Sequence, residues 1–285
     1  MPQGSNSVGV VKNILRYAVK SMGGEALDES LVTDGGLLGD RSYAVIDRSN
    51  DKVASAKMPR KWGELLSLSA QFVTPPTVAE PLPPVEIKWP DGSAVVSDTG
   101  DPDTRLSEMV GRSVTLTTSK PDVVSLERLD PLEAEETILD IGDIMMEGRF
   151  SDYAALHILT TASLQRLSDL RSDVQFEIGR FRPNLVIDTG GTETGFIEND
   201  WVGRTITIGD EVRLKITDPT PRCAIPTMAQ HGGIGQDTQV LRTIVKHNML
   251  PVPLLGDEVL PCVGVYAFVI QGGSIKQGDQ VRVEA

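Results

Sequence analysis

Apolar and polar residues alternate with a period of two along most of this chain, which predicts short β-strands. In the first half, the predicted strands are 8–15, 26–33, 42–47, 52–56, 85–89 and 94–96. In the second half, they are 182–188, 205–208, 212–217, 264–270 and 281–283. Successive side chains of a strand point to opposite faces, so the pattern predicts sheets with one face buried and the other polar.

Three segments have the periodicity of a helix instead. Residues 103–110 and 239–247 repeat apolar side chains at helical spacing, and a third helix begins at Thr160 or Thr161, whose hydroxyl can cap it. Strands and helices do not alternate regularly, as they would in a doubly wound sheet. We therefore predict a mainly β fold with peripheral helices, an α+β protein built from barrel-like domains.

The length of 285 residues predicts two compact units, because one domain usually holds about 100 to 200 residues. The span from Glu127 to Glu147 is strongly acidic, which is typical of an exposed linker. We therefore predict a β-barrel-like domain over 1–126, an acidic linker over 127–150 and a second β-barrel domain over 151–285.

Composition and charge narrow the classes of function. The formal net charge of -13 disfavours nucleic acid and acidic membrane surfaces as partners, because both reward clustered Lys and Arg. No apolar run approaches the roughly 20 residues of a membrane-spanning helix, and the first residues lack the pattern of an export signal. Two distant cysteines make no disulfide framework. A cytoplasmic location is the simplest expectation.

Cys223 is the candidate soft nucleophile or metal ligand. It follows Arg222 in a proline-rich run, and an adjacent guanidinium favours a thiolate while prolines stiffen a loop and remove backbone donors. From the residues alone, a buried structural cysteine remains the alternative. That alternative is preferred for Cys262, which has no cation nearby in the sequence.

Basic residues stand beside small or amide side chains at three predicted loop positions: Lys20-Ser21, Asp40-Arg41 and the segment 180–184. Such groups can form a phosphate or carboxylate cradle, although each alone is usually solvated surface. The chain has no P-loop, no dinucleotide glycine motif, no zinc spacing among its histidines and no Gly-x-Ser-x-Gly elbow. The motifs therefore leave a phosphate or carboxylate ligand open and give no support to nucleotide-triphosphate chemistry.

Taken in order, these segments resemble a known family. Residues 17–21 and 40–47 resemble the N-terminal β-barrel domain that accompanies MOSC domains. Four later segments resemble the MOSC domain itself: 181–187, 221–223, 241–244 and 264–266. The order of the motifs covers nearly the whole chain, and it implies an N-terminal MOSC barrel domain followed by a MOSC domain.

The resemblance implies a molybdenum cofactor (molybdopterin) whose metal is bound by Cys223. The cofactor-binding positions that it implies are Lys20, Ser21, Arg41, Arg182, Asn184 and Arg222. The two-domain form is similar to the mitochondrial amidoxime-reducing component and its bacterial relatives. It therefore implies an oxidoreductase acting on small N-hydroxylated compounds, with electrons from a separate flavin, haem or iron-sulfur protein. The family is also associated with pyridoxal phosphate.

Departures from the family keep a second function open. Pro221 stands where the family often has a small hydroxyl residue, Tyr153 stands where some relatives have threonine, and residues 229–235 replace a common stretch after the cysteine. The alternative is a non-catalytic protein that holds molybdopterin or carries sulfur as a Cys223 persulfide. A structural barrel with an inert cysteine is the third possibility.

Overall fold

The computed structural model describes residues 6–119, 125–129, 136–140, 149–151, 153–191 and 193–284. The strands up to residue 140 are β1 (Asn6–Arg16), β2 (Glu25–Leu27), β3 (Glu29–Thr33), β4 (Gly36–Leu37), β5 (Ala44–Asp47), β6 (Lys52–Val53), β7 (Ser69–Phe72), β8 (Val85–Lys88), β9 (Ala94–Val96), β10 (Val114–Thr117), β11 (Ser125–Leu129) and β12 (Glu136–Asp140). The later strands are β13 (Leu156–Thr160), β14 (Leu185–Asp188), β15 (Thr205–Ile208), β16 (Val212–Pro221), β17 (Met249–Val252), β18 (Glu258–Gln271), β19 (Gly273–Lys276) and β20 (Gln280–Val283). The helices are α1 (Pro59–Trp62), α2 (Pro102–Val110), α3 (Thr161–Leu170), α4 (Ile178–Phe181) and α5 (Gln239–His247).

Seven strands close into a barrel in the order β13, β14, β1, β20, β15, β16 and β18, and β18 pairs back with β13. Alternate side chains fill its interior: Ile206 on β15 lies opposite Leu214 on β16, and both are fully buried. Helices surround this sheet rather than alternating with its strands. The prediction of a mainly β fold with peripheral helices is confirmed.

The first strand of the chain is part of this barrel. β1 pairs with β14, where Ile14 lies opposite Leu185, and with β20, where Val10 lies opposite Gln280. Residues 1–126 therefore contribute one barrel strand in addition to their own sheets. The predicted domain boundaries did not anticipate this exchange, and they remain predictions.

A second core lies among the sheets β10-β5-β6 and β7-β8-β9. Trp62, Leu65, Ile87 and Leu106 are buried in it. Helix α2 contributes Leu106, and its first turn is capped by Asp101, whose side chain accepts a hydrogen bond from Thr104 N. The predicted helices at 103–110, 160/161 and 239–247 are all present, and Thr160 caps α3.

Two segments differ in detail from the prediction. The expected single strand 26–33 is two strands, because β2 pairs with β1 whereas β3 pairs with β19 and β4. Part of the expected exposed linker is an antiparallel pair, β11 with β12, and Glu127 on β11 forms ion pairs with Lys52 and Lys61. Other acidic residues of that segment, such as Asp143 and Glu147, lie outside the described residues.

Across the part of the chain that the structure describes, no helix is both long enough and apolar enough to cross a membrane.

Candidate functional site

A cavity of about 130 Å³ lies where the loops after β1, before β5, after α4 and after β16 meet. It brings together six of the seven residues proposed from the sequence: Lys20, Ser21, Arg41, Arg182, Arg222 and Cys223. Six cations line it, because Lys57 and Arg180 join the four basic residues of that set. No Asp or Glu is among the described residues that line it. Asp40 and Glu177 pair with Arg41 and Arg180 from outside the lining, and the positive charge of the remaining cations attracts an anion.

Three of the lining residues hold an unusual backbone conformation. Ser21, Arg41 and Arg182 have φ values of 68°, 49° and 53°, and they are three of five described non-glycine residues with positive φ. Such conformations cost about 1 to 3 kcal/mol each, and they persist where the surrounding structure imposes them. The predicted strand 182–188 starts too early. Arg182 has a left-handed backbone conformation at the end of α4, and β14 begins at Leu185.

Tyr17, a residue not proposed as part of the site, lies against two of its arginines. The guanidinium carbons of Arg41 and Arg182 lie 5.0 Å and 4.4 Å from the centre of the Tyr17 ring. Arg182 Nη2 also donates a hydrogen bond to Met22 O at 2.6 Å. Burial raises the pKa of Tyr17 to about 12, although the two guanidinium groups act against the shift. The ring therefore stays a neutral phenol at physiological pH.

Asp40 binds both the main chain of Tyr17 and the side chain of Arg41. Its Oδ2 accepts hydrogen bonds from Arg41 Nη1 at 2.5 Å and from Arg149 Nη2 at 2.7 Å, and its Oδ1 accepts one from Tyr17 N at 2.9 Å. Burial alone would raise the pKa of Asp40, but Arg41 and Arg149 outweigh it and hold the pKa below its ordinary value. Asp40 is therefore a permanent anion within the framework of the site.

Asn184 is the predicted site residue that does not line the cavity. Its side chain is buried, and Oδ1 accepts hydrogen bonds from His157 N at 3.1 Å and from Arg41 Nη1 at 3.4 Å. Its Nδ2 donates to Leu15 O at 3.3 Å. Asn184 thus connects the barrel to Arg41, and it supports the cavity lining without being part of it.

Arg222 lines the cavity, but its guanidinium is directed at main-chain oxygens. Nη1 donates to Phe181 O at 3.0 Å and Nε to Val263 O at 2.9 Å, and Nη2 contacts His157 Nε2. Burial lowers the pKa of Arg222 to about 10. The sequence placed Arg222 beside the thiol, and the resemblance implied a cofactor-binding role for it; in the fold its guanidinium bonds to main-chain oxygens. Arg222 instead holds β16, β18 and α4 together at the cavity wall.

His157 is the buried neutral partner of Arg222. Burial first, and then the positive charge of Arg222, lower the pKa of His157 well below its ordinary value. Gly264 on the facing strand leaves room for the ring: its φ is +78°, and a Cβ there would lie 2.4 Å from His157 Nε2. Glycine is required at that position for both reasons.

Cys223 is a free thiol of intermediate exposure at the cavity. It follows the end of β16 and precedes a short 3-10 turn, Ile225–Thr227. Arg180 fixes this loop by donating from Nη1 to Pro226 O at 3.1 Å and to Gly235 O at 2.9 Å. Cys262, in contrast, is fully buried, and burial raises its pKa to about 12. The two cysteines thus differ as the sequence predicted.

The residues that sequence reasoning missed fall into two groups. Tyr17 and Asp40 stand within the motifs that suggested the family, so their positions carried a signal that was not used. Arg149 and His157 carried none, because their partners are 109 and 65 positions away in the chain. Tertiary contact alone makes them part of the site.

The fold and the cavity define a β-barrel protein with a partly exposed cysteine inside a cationic recess. The family model of the MOSC domain matches residues 146–282, and that of the MOSC N-terminal beta barrel domain matches residues 8–62. The chain belongs to the MOSC domain proteins that carry this N-terminal barrel domain. The family is associated with binding of the molybdenum cofactor.

Solved structures give more distant likenesses. The chain is similar to the YUAD protein from Bacillus subtilis, with 9% identity and a TM-score of 0.41 over 98% of this chain and 94% of that one. It is also similar to YiiM from Geobacillus stearothermophilus, with 16% identity and a TM-score of 0.30 over 46% of this chain and 54% of that one. A search of the curated proteins found no match.

Proposed function

We propose that this protein is a molybdenum-cofactor oxidoreductase that reduces small N-hydroxylated compounds, with Cys223 as the protein ligand of the metal. The observation that carries the proposal is the placement of a partly exposed thiol in a cavity lined by six cations and no described acid. A soft thiolate suits molybdenum, and the cations suit the cofactor's phosphate.

The residues present fit the molybdenum cofactor. Lys20, Ser21, Arg41 and Arg182 come from separate loops but line one cavity, as a ligand with a phosphate at one end and a metal at the other requires. Thr220, three residues before the cysteine in the cavity wall, is buried, and its Oγ1 has no hydrogen-bond partner among the described residues. A buried hydroxyl is rarely left so, and a bound ligand would satisfy it.

Within this proposal the predicted residues have two kinds of role. Lys20, Arg41 and Arg182 hold the phosphate, and Ser21 offers a hydroxyl at a strained turn. Asn184 and Arg222 position the others, because their polar groups bond to the protein itself. Lys20 Nζ has a main-chain partner as well, Phe150 O at 2.8 Å, which fixes the direction of its ammonium group.

The proposed reaction breaks the N–O bond of an N-hydroxylated substrate. The substrate nitrogen gains an N–H, the oxygen leaves as water, and two electrons and two protons are consumed. When bound, the cofactor supplies the two-electron redox chemistry for this change. The electrons come from a separate flavin, haem or iron-sulfur protein, and solvent supplies the protons. Cys223 supplies the sulfur ligand, and the stiff loop held by Arg180 keeps that sulfur at the cavity.

The test is anaerobic oxidation of the chemically reduced protein by benzamidoxime, after expression in a host that makes the cofactor. We expect reoxidation of the wild type and formation of benzamidine. Cys223→Ser should abolish it while leaving the fold intact, because serine is a harder ligand of similar volume. Cys262→Ala is the matched control, since that thiol is buried and does not line the cavity.

Each outcome separates the candidate functions. Cofactor-loaded protein that benzamidoxime does not reoxidise would contradict the reductase and favour the non-catalytic carrier. Full turnover in Cys223→Ser would remove the role assigned to that thiol. A persulfide on Cys223, found by mass spectrometry of protein without molybdenum, would favour sulfur transfer.

A further inference from the structure

Tyr17 contacts the cationic side of the cavity through both its main chain and its ring. Its N–H donates to Asp40 Oδ1 at 2.9 Å, and its carbonyl accepts from Arg41 N at 2.6 Å. The guanidinium carbons of Arg41 and Arg182 lie 5.0 Å and 4.4 Å from the centre of its ring. At such distances a cation is attracted to the face of an aromatic ring. One residue therefore fixes the backbone and the side chain of Arg41 and the side chain of Arg182.

We propose that Tyr17 is a positioning residue that holds Arg41 and Arg182 as a two-guanidinium clamp for a phosphate group. The clamp deepens the proposed function, on which the identification of that phosphate as part of the cofactor rests. The ring attracts and orients the two cations without adding a charge of its own. Asp40 already pairs with Arg41, so a ring rather than a second carboxylate leaves more of the positive charge at this side of the cavity for the ligand.

The local structure is arranged to keep this ring in place. Tyr17 is only 4% exposed, and Gly24 makes room for it: a Cβ on Gly24 would lie 2.7 Å from Tyr17 Cδ1. Arg41 and Arg182 both hold positive φ, so the chain accepts strain on either side of the ring. The two arginines come from loops far apart in the sequence, and the ring is their common contact. Strain retained in this way is typical of a functional site.

The clamp is tested first with inorganic phosphate as the probe, by calorimetry on protein free of cofactor. Tyr17→Phe keeps the aromatic face and should bind phosphate within about twofold of the wild type. Tyr17→Met keeps buried apolar volume without that face, and its affinity should fall roughly tenfold. Trp89→Leu is the matched control. In the wild type the guanidinium carbon of Arg105 lies 4.0 Å from the centre of the Trp89 ring, and neither residue lines the cavity, so phosphate affinity should not change.

A second measurement separates ring electrostatics from loss of fold. Phenylalanines with increasing numbers of ring fluorines at position 17 keep nearly the same shape but progressively weaken the negative face of the ring. Phosphate affinity should fall stepwise along this series, while the unfolding temperature stays nearly constant. A flat affinity series, a Tyr17→Met variant that binds as the wild type does, or a wild type that does not bind phosphate would overturn the clamp.

The two proposals fail in different ways. Wild-type protein whose phosphate affinity depends on the ring at position 17, but which carries neither molybdenum nor pterin, would overturn the proposed function and leave the clamp standing. Protein that carries the cofactor and shows no dependence on that ring would overturn the clamp alone.

Discussion

Replacing Asp40 with asparagine removes the buried charge that the framework of the cavity depends on. The Asp40 side chain is completely buried, and the side chains of its two partners, Arg41 and Arg149, are 18% and 9% exposed. Asparagine can still accept the hydrogen bond from Tyr17 N. It leaves two guanidinium groups without their shared anion.

The expected loss follows from the burial of the network. Neutralising one member of a buried ion pair costs about 3 to 5 kcal/mol, because the remaining charge stays desolvated. Arg41 is partly hydrated, which reduces its share, whereas Arg149 is nearly inaccessible. We therefore expect the free energy of unfolding to fall by about 3 kcal/mol in Asp40→Asn.

The assay is equilibrium unfolding in urea, with Asp173→Asn as the control. Asp173 forms an ion pair with Arg171 at 2.7 Å but is 67% exposed, so its replacement should not move the midpoint. The pKa of Asp40 is lowered in the folded protein, so its contribution is complete above the unfolded value near 3.9 and is lost only in stronger acid. The difference from the wild type should therefore persist from neutral pH down to about pH 5.

A double-mutant cycle shows whether the loss comes from Arg149. Arg149→Met removes the more deeply buried cation, so Asp40→Asn should cost much less in that background. A loss in Asp40→Asn no larger than in Asp173→Asn, or full additivity in the cycle, would refute the buried network as the framework of the site.

Three further predictions concern single positions. Burial lowers the pKa of His157, so below about pH 6.5 the unfolded state binds a proton that the folded state does not, and the free energy of unfolding should fall by up to about 1.4 kcal/mol per pH unit. Urea titrations at several pH values should show that His157→Gln loses this pH dependence. The control His247→Gln, at an exposed position, should keep it. Gly264→Ala should lower stability by roughly 2 to 5 kcal/mol through its positive φ and its clash, whereas Gly190→Ala, which has the φ but open space, should lose only about 1. Arg182→Ala should weaken cofactor binding by roughly 1.5 to 3 kcal/mol in a retention assay, and unchanged retention would place the phosphate elsewhere.

Much of the fold was predictable because the position of a strand follows from the local alternation of apolar and polar residues. The alternation in residues 205–208 and 212–217 corresponds to β15 and β16, and the cap at Thr160 marks the start of α3. Partners of strands were not predictable, since β1 pairs with β14 and β20 at the far end of the chain. Pairing depends on closure of the barrel, which no local window contains.

The candidate site divides in the same way. The sequence suggested which cations meet at Cys223, because the resemblance ordered them, and the structure places six of the seven predicted residues at one cavity. It could not reveal that Arg222 is held by main-chain oxygens, since Phe181 and Val263 approach it only through the fold. The ring of Tyr17 between two arginines is likewise a tertiary feature.

We propose that the cation-lined cavity around Cys223 binds the molybdenum cofactor. The most direct test is the molybdenum and pterin content of the wild-type protein, purified from a host that synthesises the cofactor under molybdenum-replete conditions. Binding of the cofactor at this cavity predicts that both are present in near stoichiometric amounts in the wild type and are markedly lost in Arg182→Ala. Background levels of metal and pterin in the wild type would contradict it.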